Sequence, residues 1–224
     1  MQAEVNLEEV KTSKKPNLFG MLFSPSLQFE RMKVKAPIAL PLIMMMIFAG
    51  ITSALVAYIS LGNPILQENE ELAELGIDIP VGVTLGMGAA TGVIGVAIGF
   101  LLVALFYKVA MMIIGNDTTF KTLFSLVVHV SIISTVGLLL NGLIALAIGG
   151  YEPYYTSLAP LFVDNQLIHT IAVNFDIIHV WYYVVFALGL QAVAGLSKKQ
   201  AITVVIIEFI IGVGFSSIGA FFAI

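Results

Sequence analysis

The sequence predicts an all-α integral membrane protein: a bundle of five transmembrane helices with its N-terminus in the cytoplasm and its C-terminus outside. Three observations predict this class. Apolar residues make up 59% of the chain and charged residues only 11%, whereas a soluble domain is about a quarter charged. Five apolar stretches follow one another, each long enough to cross a bilayer core of about 30 Å. The charges between these stretches alternate in sign along the chain.

The alternation of charge predicts the orientation. The basic residues precede the first stretch or lie around every second connection: Lys11, Lys14, Lys15, Arg31, Lys33, Lys35, Lys108, Lys121, Lys198 and Lys199. The opposite connections carry acids without Lys or Arg: Glu68, Glu70, Glu71, Glu74, Asp78, Glu152, Asp164 and Asp176. Flanking Lys and Arg are retained in the cytoplasm during insertion. The basic connections are therefore expected inside.

Several function classes are excluded by composition. The chain has no Cys, which excludes disulfides, thiolate metal sites and thiol catalysis. A nucleic-acid role would need a clustered basic surface with reading elements, and only short basic runs are present. There is no Gly-x-Ser-x-Gly, His-Glu-x-x-His or phosphate-loop motif. We therefore expect a protein that is not an enzyme and needs no cofactor.

Two segments precede the first span. Residues 1–16 are polar without periodicity and predict a flexible cytoplasmic tail. Residues 17–35 mix Phe and Leu with Arg31, Lys33 and Lys35, and Pro25 interrupts them. This pattern favours an amphipathic segment lying in the membrane interface; the alternative is an apolar linker. The five-helix membrane domain then occupies residues 36–224.

The spans are predicted at residues 36–61, 81–114, 123–148, 175–195 and 201–224. Pro37 stands near the start of the first, where its missing N–H costs little. Trp181, Tyr182 and Tyr183 in the fourth are interpreted as part of an aromatic belt at its outer end. Because the fifth span runs to the last residue, the C-terminus is expected at the outer surface.

Glycines distinguish the second span. Gly88 and Gly92, and again Gly95 and Gly99, are four residues apart, so each pair lies on one helix face. Without side chains there, a neighbouring backbone can approach closely. This spacing predicts a helix-packing face, either for another span of this chain or for a partner.

Polar residues inside spans are costly in lipid and are therefore candidates for function. They are Glu208, Lys108, His129, Asn141 and Gln191. Glu208 is the sharpest candidate, and Lys108, His129 or Lys121 could pair with it. It is interpreted as a proton- or cation-coupled transport residue, as a packing hydrogen bond, or as a carboxylate that reaches the cytoplasmic interface. Asn141 and Gln191 are expected to bond between helices.

A second candidate site lies at the outer end of the fourth span. Asp176 and His179 are three residues apart and share a helix face. With Asp164 and His169 they could form an external cation or zinc site. The alternative is a helix cap by Asn174 or Asp176, with His179 in the interface.

Three stretches together resemble one family. They read Asn17-Leu18-Phe19…Ser24-Pro25…Phe29-Glu30-Arg31, then Gly115-Asn116-Asp117-Thr118-Thr119-Phe120, then Trp181…Gly189-Leu190…Gly195-Leu196-Ser197-Lys198-Lys199-Gln200-Ala201. The pattern resembles the Yip (Ypt/Rab-interacting protein) domain membrane family, in its bacterial, YknW-like branch. The resemblance implies five spans, a cytoplasmic N-terminus and a place in the bacterial cell membrane. For this branch it implies an accessory component of an ABC exporter that protects against a killing peptide.

The chain departs from the family pattern at two places, and this limits the function that the resemblance implies. Where the family often has Gly-Tyr and then Pro in the third span, this chain has none of these residues between Val128 and Ile133. The Asp-Leu-Tyr-Gly-Pro element of eukaryotic members is absent too, so the GTPase binding of those members is not expected here.

The expected function is therefore non-enzymatic assembly in the lipid bilayer. The chain would bind membrane partners through its glycine face, as an accessory subunit of an envelope ABC exporter or toxin-resistance system, or bind further copies of itself. The alternative is a small homo-oligomeric transporter or channel with Glu208 in its pathway.

Overall fold

The computed structural model describes residues 14–62 and 79–222, and all regular structure in them is helical. Two short helices come first, α1 (Gly20–Phe23) and α2 (Pro25–Val34). The remaining α-helices are α3 (Ala39–Ser60), α4 (Val81–Ile114), α5 (Phe120–Val130), α6 (Ile132–Ile148), α7 (Gln166–Val173), α8 (Ile177–Ala194) and α9 (Lys198–Phe222). A short 3₁₀ helix, Ala159–Leu161, precedes α7.

The prediction of five spans is confirmed. Within the described residues, five helices are long and apolar enough to cross a membrane, when α5 and α6 are taken as one. Their bounds lie within a few residues of the predicted ones. The third span starts earlier than predicted because the Thr119 side chain accepts a hydrogen bond from the Thr122 amide and so caps α5 at its first turn.

The connections gather at two ends of the bundle. At one end the side-chain amide of Asn116 donates to the Ala194 carbonyl at 2.8 Å, which ties the end of α4 to the end of α8. Ser125 donates to the Pro37 carbonyl, also at 2.8 Å, so the entry to α3 lies there as well. We call this the basic end, because the described Lys and Arg residues fall in the segments that meet there. The opposite end, which carries Glu152, Asp164 and Asp176, is called the acidic end.

The segment before the first span is built into the bundle. Met21, Phe29 and Met32 are fully buried in the core. Gly189 of α8 makes room for this contact, since a Cβ there would lie 3.0 Å from the Phe29 ring. The segment thus packs its apolar side on the bundle, while Phe23 on the other side is 86% exposed; its place in the membrane interface stays a prediction.

The third span forms the centre of the bundle. Every residue of α5 from Leu123 to Val130 is buried. The helix then breaks at Ser131, and α6 continues towards the acidic end. Neighbouring spans pack around this centre, while the outward sides of α4 and α9 stay open. Such apolar exposure suits helices whose surroundings are lipid.

Candidate functional site

A polar cleft lies inside the membrane-spanning part of the bundle. It has a volume of about 520 Å³ and is bordered by all five spans. Its polar lining consists of Thr52, Ser53, Thr91, Ser131, Ser134, Thr135, His179, Tyr182, Tyr183 and Glu208. So many polar side chains around one space inside a lipid-embedded bundle are unusual, because each must find a partner there.

Glu208 is the one acidic residue among those that line the polar cleft. It lies ten residues after Lys198, where α9 begins, which is about 15 Å along the helix axis. That distance places it inside the apolar part of this span. Its side chain interacts with that of Tyr183. Its Oε2 atom is buried and has no hydrogen-bond partner among the described residues.

Aromatic rings surround this carboxylate. The Tyr182 and Tyr183 rings meet edge to face, with centroids 5.1 Å apart. His179 stacks on Tyr183 at 4.8 Å. Ser131, which follows the last residue of α5, lines the same space. Tyr182 and Tyr183 were predicted to form an aromatic belt; instead both line the polar cleft.

The glycines of α4 divide into two groups. A Cβ at Gly88 would lie 2.7 Å from the Ala57 Cβ, and one at Gly92 would lie 2.6 Å from the Ala49 carbonyl oxygen. These two glycines therefore pack against α3 of the same chain. No atom of the described residues lies within 4 Å of a Cβ added at Gly95 or Gly99. Both line the polar cleft, and Gly95 is exposed.

A smaller cavity of about 230 Å³ opens at the acidic end. It shares Ser134, Leu138 and His179 with the polar cleft, so the two spaces are adjacent. Tyr154 also lines it. Burial and, to a lesser degree, the Glu152 carboxylate raise the pKa of the Tyr154 hydroxyl, so this group stays a neutral hydrogen-bonding group at physiological pH.

Asp176 holds the acidic end together. Its Oδ1 accepts hydrogen bonds from the amides of Ile178 at 2.7 Å and His179 at 3.1 Å, which caps α8. Its Oδ2 accepts from the Thr156 hydroxyl. The Thr156 amide in turn donates to Asn141 at 2.8 Å. One buried network therefore fastens the loop after α6 to the third and fourth spans.

The residues proposed for an external metal site are not brought together. Both oxygens of Asp176 are engaged in this network, and His169 pairs with Glu152 at 2.6 Å. His179 stacks on Tyr183 instead. No group of three or more His, Asp or Glu in residues 14–62 and 79–222 is arranged to hold a metal ion.

The other intramembrane polar residues lie apart from Glu208. Lys108 donates to the Thr118 carbonyl at 3.0 Å, and His129 Nδ1 bonds the Ser125 carbonyl at 2.7 Å. Either could have paired with Glu208, but neither is hydrogen-bonded to it, and the side chain that interacts with Glu208 is that of Tyr183. The expectation that Asn141 and Gln191 bond between helices is also wrong. Asn141 bonds its own helix and Thr156, and Gln191 donates to Ala187 of its own helix.

The three family-like stretches stabilise the basic end. The Asn17 amide donates to buried Gln28 at 2.9 Å, which fixes α1 on α2. Asn116 joins three segments, since it accepts from the Thr118 amide and donates to Ala194. Gly195 ends α8 with a φ of +67°, a backbone region that suits glycine. These stretches thus explain the scaffold, and none of them forms the polar cleft.

Comparison with known proteins agrees with this architecture. The family model described as "Yip1 domain" matches residues 19–219. The chain is also 32% identical over 223 residues to "Membrane protein YknW" of Bacillus subtilis (strain 168), and the alignment covers 96% of this chain and 95% of that protein. No solved structure matches the chain significantly. The match covers all five spans and the helices before them, and we conclude that the chain belongs to the Yip1 domain family of membrane proteins.

Proposed function

We propose that this protein is a non-enzymatic assembly factor that binds a transmembrane helix of a partner protein at the polar cleft. One observation carries the proposal. The glycine wall formed by Gly95 and Gly99 faces an open space, and no side chain of the described residues packs against it. A helix can approach such a wall closely, so that dispersion contacts replace the hydrophobic drive that is missing between helices in lipid.

The shape of the polar cleft favours a docked helix over a deeply enclosed small ligand. Gly95 is exposed, so the space reaches the surface of α4 within the membrane. Its volume of about 520 Å³ is enough for a few side chains rather than for a whole helix. A partner helix would therefore lie along the opening and insert side chains. Gly88 and Gly92 hold α4 on α3 and keep the glycine wall in place.

The partner we propose is a membrane subunit of an envelope ABC exporter, in the bacterial cell membrane. The family resemblance supports this setting, and the basic end would face the cytoplasm. A helix from a second copy of this chain could also bind at the polar cleft, because each copy has apolar helices of suitable length.

The test is site-specific photo-crosslinking in native membranes. A crosslinking residue at Thr91, which is exposed and lines the polar cleft, should capture one membrane protein. Gly95→Leu fills the opening and should abolish that product. Gly86→Leu is the matched control, since Gly86 is exposed on the same helix and its added Cβ meets no described atom within 4 Å.

Two results would count against this proposal. One is a Thr91 crosslink that survives Gly95→Leu. The other is a product that contains only lipid. Capture of a second copy would replace the exporter partner by self-assembly.

A second candidate function is transport of a small cation or proton. It is favoured by the shared residues of the two cavities, which make adjacent the space at the acidic end and the space that Glu208 lines. Purified protein in sealed vesicles would then show flux that Glu208→Gln removes. Absence of flux for protons and common monovalent cations would leave assembly as the better explanation.

A further inference from the structure

We propose, building on the assembly function above, that the polar cleft binds a Lys or Arg side chain carried by the partner's transmembrane helix. The cationic group would pair with Glu208 between the tyrosine rings. Three features of the site point to this chemistry: an incompletely bonded carboxylate, aromatic rings beside it, and hydroxyl groups facing the same space.

The first feature is the carboxylate. Charged groups near the bilayer centre are retained where they pair with one another or face a cavity. Glu208 faces the polar cleft, yet no Lys or Arg lies among the residues that line it. The Glu208 Oε2 atom is buried and has no hydrogen-bond partner among the described residues. A cation that enters the polar cleft from outside the chain would give this carboxylate a partner of opposite charge.

The second feature is the aromatic pair. Tyr182 and Tyr183 both line the polar cleft with Glu208, and their rings stand at 70° to each other. Two differently oriented rings next to a carboxylate form a common arrangement for binding ammonium and guanidinium groups, because the ring faces carry negative charge density. Phe209 packs against Tyr183 with the ring centroids 5.5 Å apart and the planes at 85°, which helps to hold that ring.

The third feature is the glycine wall. Gly95 and Gly99 line the same space as Glu208 and leave it open, and a long Lys or Arg side chain needs such space to reach a carboxylate from a neighbouring helix. Ser134 and Thr135 of α6 line the same space and can accept the remaining N–H groups. The small glycines thus leave room for the partner backbone, and the Lys or Arg beside it fits the polar cleft in both length and charge.

The test uses the full chain reconstituted in vesicles of phosphatidylcholine and phosphatidylglycerol. Because the chain has no Cys, a single Asp164→Cys variant can carry a donor dye at the acidic end. Acceptor-labelled peptides of alternating Leu and Ala, long enough to span the bilayer, carry one central Lys, Gln or Leu. Energy transfer at increasing peptide density then gives the association constants.

The Lys peptide should associate about tenfold more strongly than the Leu and Gln peptides, as a desolvated cation–π and ion-pair contact allows. Glu208→Gln should remove this preference, whereas Glu208→Asp, which keeps the carboxylate, should retain part of it. Equal association of all three peptides would overturn the inference. Binding of free octylammonium that depends on Glu208, without preference among peptides, would also overturn it and favour transport.

Failure here can be separated from failure of the assembly function. If Glu208→Gln leaves the native Thr91 crosslink intact while the peptide preference is absent, the polar cleft docks a helix without a cation. If the crosslink does not form, or persists in the Gly95→Leu variant, the proposed assembly function is wrong as well.

Discussion

At the acidic end, one carboxylate supports three hydrogen bonds. Asp176 caps α8 through Oδ1 and accepts from Thr156 through Oδ2. Asp176→Ala removes the cap and leaves a buried hydroxyl without its acceptor, so we expect the free energy of unfolding to fall by about 1–3 kcal/mol. Thermal unfolding of the purified protein in detergent would measure the loss.

Asp176→Asn is the control for this substitution. An amide oxygen can still accept from the Ile178 and His179 amides, so its effect should be clearly smaller. Stability of Asp176→Ala equal to that of the parent would contradict the capping role and would reopen the ligand role suggested by its spacing to His179.

The residue-level site was only partly predictable from sequence. Glu208 stood out because a lone acid between isoleucines is costly in lipid. Its neighbour Tyr183 did not, because that contact depends on how α8 and α9 are rotated about their axes. Membrane spans are apolar all round, so their periodicity does not indicate which face turns inwards. For the same reason the positions of Ser131 and Ser134 in the polar cleft could not be predicted, since in sequence they resemble ordinary polar residues of a membrane helix.

At the scale of elements, α4 has a packed half and an open half. Gly92→Ala places a methyl group 2.6 Å from the Ala49 carbonyl oxygen, so α3 and α4 must separate. Overpacking of this kind costs about 1–3 kcal/mol. Gly99→Ala adds the same methyl group to open space and should change stability little. Resistance to unfolding by sodium dodecyl sulfate would compare the two variants.

Equal losses for the two variants would show that α3 does not contact α4 along Gly92.

Sequence spacing predicted the glycine face, but it could not show which glycines pack and which stay open, because all four share one helical repeat. Hydropathy was enough to predict the helix bounds to within a few residues, and the capping residues determine where each helix begins and ends. The burial of α1 and α2 could not be predicted, because Met21, Phe29 and Met32 follow no periodic pattern that separates a core contact from an interfacial one.

At the scale of the whole molecule, the two ends of the bundle differ in charge, and this difference predicts how the protein sits in the membrane. Lys199 is exposed at the basic end and Asp164 is exposed at the acidic end. Because flanking Lys and Arg stay in the cytoplasm, a membrane-impermeant maleimide should label Asp164→Cys in intact cells. Lys199→Cys should react only after the cells are permeabilised. The parent chain has no Cys and supplies the blank, and labelling of Lys199→Cys in intact cells would invert the orientation and place the smaller cavity on the cytoplasmic side.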